Sequence, residues 1–171
     1  TLVGVVLADV GLSLPDLRAS ERTFQVLTQV AGRAGRSPLG GQVILQTFLP
    51  DHYVIQAASR HDYEAFYKQE LEYRRQLHYP PFYRLVRLEY RHSDPERAES
   101  SALAMAEQIK TWLADAALGE TELVGPTPCF FSRLAGLYRW QIVLRGPDPA
   151  SFLRGRNLGD WRVEVNPPSL L

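Results

Sequence analysis

The sequence TLVGVVL at residues 1–7 decides the fold class of the first part of the chain. It is a short continuous apolar run, which is typical of a buried parallel strand. A second strand, QVILQTF, is predicted at 42–48, and between the two strands apolar residues recur at helical spacing from Phe24 to Ala31. The order strand, helix, strand predicts a β-α-β unit of an α/β sheet over residues 1–50. Such a unit is too short to be a domain alone, so we expect a fragment of a larger protein.

The hydrophobic pattern changes after residue 50. Residues 51–77 are predicted to be helical throughout, with Asp51 and Asp62 as candidate helix caps. The HYPPF stretch at 78–82 then breaks the chain, because proline has no backbone N–H to donate. We interpret 51–82 as a helical connector between two domains.

Residues 83–171 have the pattern of a second, separate α/β domain. Its predicted elements are strand 83–91, helix 95–118, strand 121–125, strand 138–145, helix 148–156 and strand 161–166. This β-α-β-β-α-β order is that of the ferredoxin-like, split β-α-β fold of the α+β class.

The composition excludes several classes of protein. Among the 171 residues, 45% are hydrophobic and 22% charged, which is typical of a globular protein and excludes a disordered tail, a coiled coil or a fibre. Nineteen basic residues balance nineteen acidic ones, so nucleic acid could bind only through a local patch. A single cysteine excludes a disulfide framework or a cysteine-cluster zinc site within this chain. No apolar run approaches the roughly 18 residues that a membrane span needs.

The most specific local signal is QVAGRAGR at residues 29–36, at the carboxyl end of the predicted helix. Gly32 and Gly35 would let a ligand approach the backbone closely. Arg33 and Arg36 could neutralise the charge that develops on a transferring phosphoryl group. The alternative is a glycine-rich helix end whose arginines only favour the negative end of the helix dipole.

The spacing Gln-x-x-Gly-Arg-x-Gly-Arg is the pattern of motif VI of superfamily 2 helicases. Around this motif the chain resembles one family in particular, the primosomal replication-restart helicases (PriA, or primosomal protein N′). The matching stretches are residues 8–36, PDHY at 50–53, HDY at 61–63, RRQLHYPPFYRL at 74–85, YRWQ at 138–141 and VNPP at 165–168. The resemblance covers nearly the whole chain and is weaker over 92–135.

The resemblance implies an ATP-dependent 3′–5′ DNA helicase that recognises stalled replication forks and starts primosome assembly. It implies that residues 1–50 end the second RecA-like helicase lobe, followed by the C-terminal domain of the family. Arg33 and Arg36 match the catalytic arginines that reach the γ-phosphate of ATP. Gln29 matches the glutamine that couples the nucleotide to motion, and the two motif glycines are the other cofactor-binding positions.

Cofactors and partners follow from the same resemblance. It implies ATP and Mg²⁺ in the parent protein, and zinc in a cysteine-rich region before residue 1. The implied partners are single-stranded and forked DNA, the single-stranded-DNA-binding protein and primosome-loading proteins, in a cytoplasmic, nucleoid-associated protein. The chain itself contains no Gly-x-x-x-x-Gly-Lys-[Ser/Thr] loop and no recognisable acidic Mg²⁺ motif, so we expect no ATP hydrolysis by this chain alone. A non-catalytic scaffold with a degenerate helicase core, which binds fork DNA and partners, is the alternative.

A local excess of positive charge marks the C-terminal end, because residues 123–171 carry six Arg and three acidic residues. Arginines neutralise phosphates and exposed aromatic rings stack on bases, as a single DNA strand requires. Alternation along the predicted strand places Arg139 and Arg145 on its polar face, and Arg133 lies in the loop before it. We predict that these three arginines contact DNA.

Other interpretations of this region stay open. Its aromatic residues are Phe130, Phe131, Tyr138, Trp140, Phe152 and Trp161. Most of these rings could instead belong to the core, and the arginines could pair with acids such as Glu89 and Glu164. In the first part of the chain, Asp9 could be a site residue at a strand end or could cap the next turn.

Overall fold

The strands form a two-stranded parallel sheet and a four-stranded antiparallel sheet. These sheets belong to two compact units, Thr1–Tyr73 and Arg74–Leu171. The computed structural model describes residues 2–14, 16–34, 41–116 and 119–170. The mixed α/β class predicted from the sequence is confirmed.

The first unit begins with the predicted β-α-β arrangement. β1 (Leu2–Val5) and β2 (Gln42–Leu45) are parallel neighbours, with Val3 opposite Val43. α1 (Ala19–Ala34) lies between them in the chain. Parallel pairing of strands that are close in sequence requires a crossover connection of this kind.

The two faces of this small sheet differ in exposure. Val5 and Leu45 pack against the core of the unit, whereas Leu2 and Ile44 on the opposite face are 66% and 56% exposed. The sequence predicted a buried strand, and in the described chain this sheet is covered on one face only. The physical reason is that the core of the unit lies against the Val5 and Leu45 face.

Two helices follow β2, and the prediction of one continuous helix over 51–77 is wrong. They are α2 (Tyr53–Ser59) and α3 (Tyr63–Gln76). Between them His61 adopts a positive φ of 55°, which a helix does not allow. The Asp62 carboxylate then accepts a hydrogen bond from the Ala65 N–H at 2.9 Å, so Asp62 caps α3 as predicted.

The second unit has the predicted order of elements. They are β3 (Arg84–His92), α4 (Pro95–Asp115), β4 (Glu122–Leu134), β5 (Leu137–Gly146), α5 (Pro149–Leu153) and β6 (Arg162–Val165). The sheet order is β4-β5-β3-β6, with every neighbouring pair antiparallel. β5 is thus inserted between β3 and β4, which run in the same direction and are joined through α4. This is the split β-α-β arrangement.

The core of this unit lies between one face of the sheet and the two helices. Alternating strand residues and one face of α4 supply it, as the two periodicities in the sequence predicted. Its buried members are Val86, Leu88, Met105, Ala106, Ile109, Ile142, Leu144, Phe152 and Leu153. Asp94 caps α4, accepting from the Glu96 N–H at 2.9 Å.

The largest difference from the predicted elements is the length of β4. It was expected over 121–125 and extends to Leu134, through Pro126 and Pro128. Prolines are tolerated here because β4 is an edge strand, where an N–H can face away from the ladder.

Candidate functional site

Three of the motif VI positions lie on α1. Gln29, Gly32 and Arg33 are all exposed, and their i, i+3, i+4 spacing places them on one side of the helix. Arg33 lies in the last turn. The other two predicted positions, Gly35 and Arg36, lie outside the described residues.

The opposite side of α1 is anchored in the first unit. The Phe24 ring stacks on the Phe66 ring of α3, with centroids 4.2 Å apart and planes 10° from parallel. At the amino end, Arg22 Nη1 donates to the buried Asp16 carboxylate at 2.7 Å. α1 therefore has one side fixed by packing and the other available to a ligand.

Asp9 joins the segments that follow the two parallel strands. It is buried, and its carboxylate accepts hydrogen bonds from the Thr47 hydroxyl and from the Phe48 N–H, the latter at 2.9 Å. These bonds cross from the segment after β1 to the segment after β2. Asp9 is thus a structural bridge at the carboxyl edge of the sheet, and its side chain is occupied there.

In the second unit, the sheet face opposite the core is organised around a buried carboxylate. The Glu89 side chain is 1% exposed and accepts from Arg139 Nε at 2.7 Å and Arg91 Nε at 2.6 Å. Arg87 Nη2 lies 3.3 Å from its other oxygen and also 3.0 Å from Glu164. Arg87 and Arg139 are themselves buried. Buried charges of this kind require mutual pairing, because each one has lost its hydration.

The expectation that Arg139 lies on an open polar face is wrong. The alternation along β5 predicted the correct face, but Arg139 is 5% exposed. Besides pairing with Glu89, its Nη1 donates to the Phe131 carbonyl at 3.3 Å. Arg139 thus has the alternative role, pairing with Glu89, and its contact with DNA stays a prediction.

Arg145 is also engaged within the second unit. Its Nε donates to Glu122 at 2.5 Å and its Nη1 to the Leu77 carbonyl at 2.9 Å. The guanidinium lies over the Tyr79 ring, 5.8 Å from the centroid. The side chain is 24% exposed, so it is held in place but accessible in part.

Arg133 is the most accessible of the three predicted DNA contacts. It lies in β4 and not in a loop, and its guanidinium sits 5.2 Å from the centroid of the Tyr138 ring. It is exposed, and within the described ranges of the chain no carboxylate forms an ion pair with it. Stacking on a ring orders the guanidinium while leaving its hydrogen atoms available to an anion.

The aromatic residues of this region divide between core and surface. Phe152 is in the core, and Trp161 packs against it. Phe130 and Phe131, by contrast, are 52% and 56% exposed, with ring centroids 5.0 Å apart in an edge-to-face pair. The sequence did not show that these two rings, among the six aromatic candidates, are the exposed pair, because residues 126–137 were expected to form a loop.

The electrostatics of Glu89 make a testable prediction about pH. Burial by itself raises the pKa of Glu89, but hydrogen bonds from Arg139 and Arg91 outweigh it and lower the pKa from 4.5 to about 2. Because the folded pKa is the lower one, this stabilisation is present above pH 4.5 and is lost as the pH falls towards 2. The difference in free energy of unfolding between the wild-type chain and Glu89→Gln should therefore be larger at about pH 5 than at about pH 3. Urea titrations at the two pH values measure it, and an equal difference would contradict the low pKa.

The described part of the chain contains neither a candidate metal site nor a candidate membrane-spanning helix. There, no group of three or more His, Cys, Asp or Glu side chains could hold a metal ion. No helix in those same ranges is long and apolar enough to cross a bilayer. ATP, Mg²⁺ and zinc were predicted for the parent protein, and those predictions stay untested.

Comparison with known proteins assigns the family. A model of the primosomal protein N C-terminal domain matches residues 75–168, more than half of the chain and within its second unit. The chain belongs to the primosomal protein N (PriA) C-terminal domain family. The resemblance predicted from the sequence is confirmed.

Curated relatives extend the PriA similarity into the first unit. The chain is 43% identical over 145 residues to the replication restart protein PriA of Bacillus subtilis (strain 168), covering 85% of the chain and 18% of that protein. It is 45% identical over 146 residues to replication restart protein PriA of Synechocystis, covering 85% of the chain and 17% of the relative. For Treponema pallidum PriA the identity is 45% over 144 residues, 84% of the chain and 21% of the relative. The chain spans about a fifth of the length of these relatives.

Proposed function

We propose that this chain is the C-terminal part of an ATP-dependent 3′–5′ DNA helicase and translocase, which recognises stalled replication forks and starts primosome assembly. Membership of the PriA C-terminal domain family supports the proposal, as do relatives named replication restart protein PriA. The observation that carries it is the exposed side of α1, where Gln29, Gly32 and Arg33 lie together.

In this proposal, residues 1–50 are the end of the second RecA-like lobe, 51–82 the helical connector and 83–171 the C-terminal domain. The parallel β1–β2 pair with its crossover helix supports the first assignment. The strand order of the second unit and the family match over 75–168 support the last one.

Motif VI would act on the nucleotide from α1. Arg33 and Arg36 would neutralise the γ-phosphate as it is transferred to water. Gln29 would help to couple the nucleotide to motion. Gly32 and Gly35 would keep this surface open. ATP and Mg²⁺ would be bound by other parts of the parent protein, and a zinc region would precede this chain.

The second unit would hold DNA and partners. Single-stranded and forked DNA, the single-stranded-DNA-binding protein and primosome-loading proteins are the proposed partners of the cytoplasmic, nucleoid-associated parent. Arg133 is the predicted DNA contact that the geometry supports best, since it is exposed and ordered by Tyr138. Arg145 is accessible in part, and Arg139 would reach a phosphate only if its bonds to Glu89 broke.

Helicase activity of the full-length protein tests the proposal against the scaffold alternative. We expect ATP hydrolysis that single-stranded DNA stimulates, and unwinding of a forked duplex that requires a 3′ single-stranded loading tail. A control with the 171-residue chain should show no hydrolysis, since its sequence contains no Gly-x-x-x-x-Gly-Lys-[Ser/Thr] loop. Fork binding without ATP hydrolysis would establish the scaffold function instead.

A further inference from the structure

We propose that Phe130 and Phe131 form a stacking site for unpaired bases, with Arg133 binding the adjacent phosphate and Arg139 acting from beneath as a positioning residue. This inference rests on the proposed binding of single-stranded DNA. It assigns that binding to one bulge of β4, which we call the Phe130–Phe131 bulge and define as residues 129–132.

The bulge is an irregularity in the pairing of β4 with β5. Pro128 lies opposite Trp140, and pairing resumes with Arg133 opposite Tyr138. Four residues of β4, Cys129–Ser132, therefore face the single residue Arg139. A bulge suspends the strict alternation of side chains between the two faces of a strand.

All residues from Phe130 to Leu134 are exposed, so the two neighbouring rings lie uncovered together. In a regular strand, one of two consecutive side chains would point into the protein. Here Phe130 and Phe131 are both more than half exposed, while Cys129 beside them is 3% exposed and anchors the bulge. Two large rings without cover form a surface on which a planar apolar partner can stack.

Arg139 fixes the shape of the bulge from beneath. Its guanidinium is held by Glu89 at 2.7 Å and donates to the Phe131 carbonyl at 3.3 Å. The buried guanidinium of Arg139 thus holds the backbone that carries the two rings. Since a fork of hydrogen bonds requires a guanidinium, lysine could not make both contacts with the same geometry.

The charge beside the rings favours nucleic acid as the partner. Arg133 is exposed next to the bulge, ordered by Tyr138 and, among the residues that the structure describes, pairs with no carboxylate. A ring pair beside an available guanidinium matches a base beside its phosphate. An apolar protein surface would need no such cation.

Binding of the 171-residue chain to oligo(dT), measured by fluorescence anisotropy at several salt concentrations, tests the site. Phe130→Leu with Phe131→Leu should weaken binding at least about fivefold, since stacking requires a π face. The tyrosine pair Phe130→Tyr with Phe131→Tyr should bind as the wild type does. On an abasic oligonucleotide, which keeps the phosphates and lacks bases, the leucine pair should bind as tightly as the wild type.

The salt dependence separates the two arginines. Arg133→Ala should reduce the slope of log Kd against log salt by about 0.7, the value for one phosphate contact on a single strand. Arg139→Lys should weaken oligo(dT) binding with the slope unchanged, because Arg139 acts through the rings. Leu103→Ala removes a side chain on α4 that is 51% exposed and should change neither quantity.

Two results would overturn the inference in distinguishable ways. If the chain binds oligo(dT) and the leucine pair binds equally well, DNA binding stands and the bulge is not its stacking site. If the wild-type chain binds no oligo(dT) at low salt, both the site and the proposed DNA binding by this chain are wrong, and the exposed rings would serve a protein partner.

Discussion

Replacing Arg36 by alanine in the full-length protein is expected to lower kcat for DNA-stimulated ATP hydrolysis by about 10³-fold or more. The expectation follows from the proposed role of Arg36, which would approach the γ-phosphate of ATP. An arginine that stabilises charge developing only in the transition state affects kcat and leaves the binding of DNA unchanged. Steady-state hydrolysis and DNA anisotropy on the same protein preparation measure the two quantities.

Matched substitutions separate this role from a general loss of charge. Arg36→Lys keeps the charge and loses the planar fork, so little of the rate should return. Arg60→Ala removes an exposed arginine of the same unit, whose side chain bonds only to Gln56 among the described residues, and should leave kcat unchanged. An unchanged kcat in Arg36→Ala would remove this residue from the catalytic proposal.

The order of elements in the second unit could be predicted because the sequence shows both the two-residue alternation of strands and the apolar spacing of helices. Alternating Val86 and Leu88 face the core from β3, and Ala102, Ala106 and Ile109 are buried along one side of α4. Both patterns depend on local chain geometry alone, so they can be read without knowing the partners.

The length of β4 and the bulge could not be predicted in the same way. Pro126 and Pro128 are loop signals in isolation, and only the position of β4 at the edge of the sheet makes them compatible with a strand. That position is a property of the whole sheet. The exposure of Phe130 and Phe131 depends on where the end of β4 lies in the folded unit, so the sequence could not show whether these rings are buried.

For the candidate site, the sequence predicted on which face of the sheet each arginine lies, but not whether that arginine is buried. Alternation correctly put Arg139 and Arg145 on the side of β5 away from the core, yet nothing local indicates that one of them is buried. A signal was present in β3, where Arg87, Glu89 and Arg91 alternate onto one face. Three arginines around one carboxylate indicate a structural network more strongly than a DNA surface.

The ion-pair network around Glu89 leads to a second prediction, a large loss of stability. Glu89→Gln is expected to destabilise the chain by about 3–5 kcal/mol, because it leaves the buried Arg139 without its counter-charge, whereas Arg87 keeps its contact with Glu164. The glutamine keeps nearly the same shape, so the loss reports charge and hydrogen bonding rather than a cavity. Urea unfolding at neutral pH followed by circular dichroism gives the free energy of unfolding.

An ion pair nearer the surface supplies the control for that measurement. Glu122→Gln breaks the contact with Arg145, but the Glu122 side chain is 43% exposed, so the expected cost is at most about 1 kcal/mol. Replacing Glu89 by leucine together with Arg139 by methionine removes two of the three buried charges, leaves Arg87 its contact with Glu164, and should cost less than Glu89→Gln alone. If Glu89→Gln costs no more than Glu122→Gln, the network does not hold Arg139 in place. The positioning of Phe131 through its carbonyl would then lose its basis, because that bond depends on a fixed guanidinium.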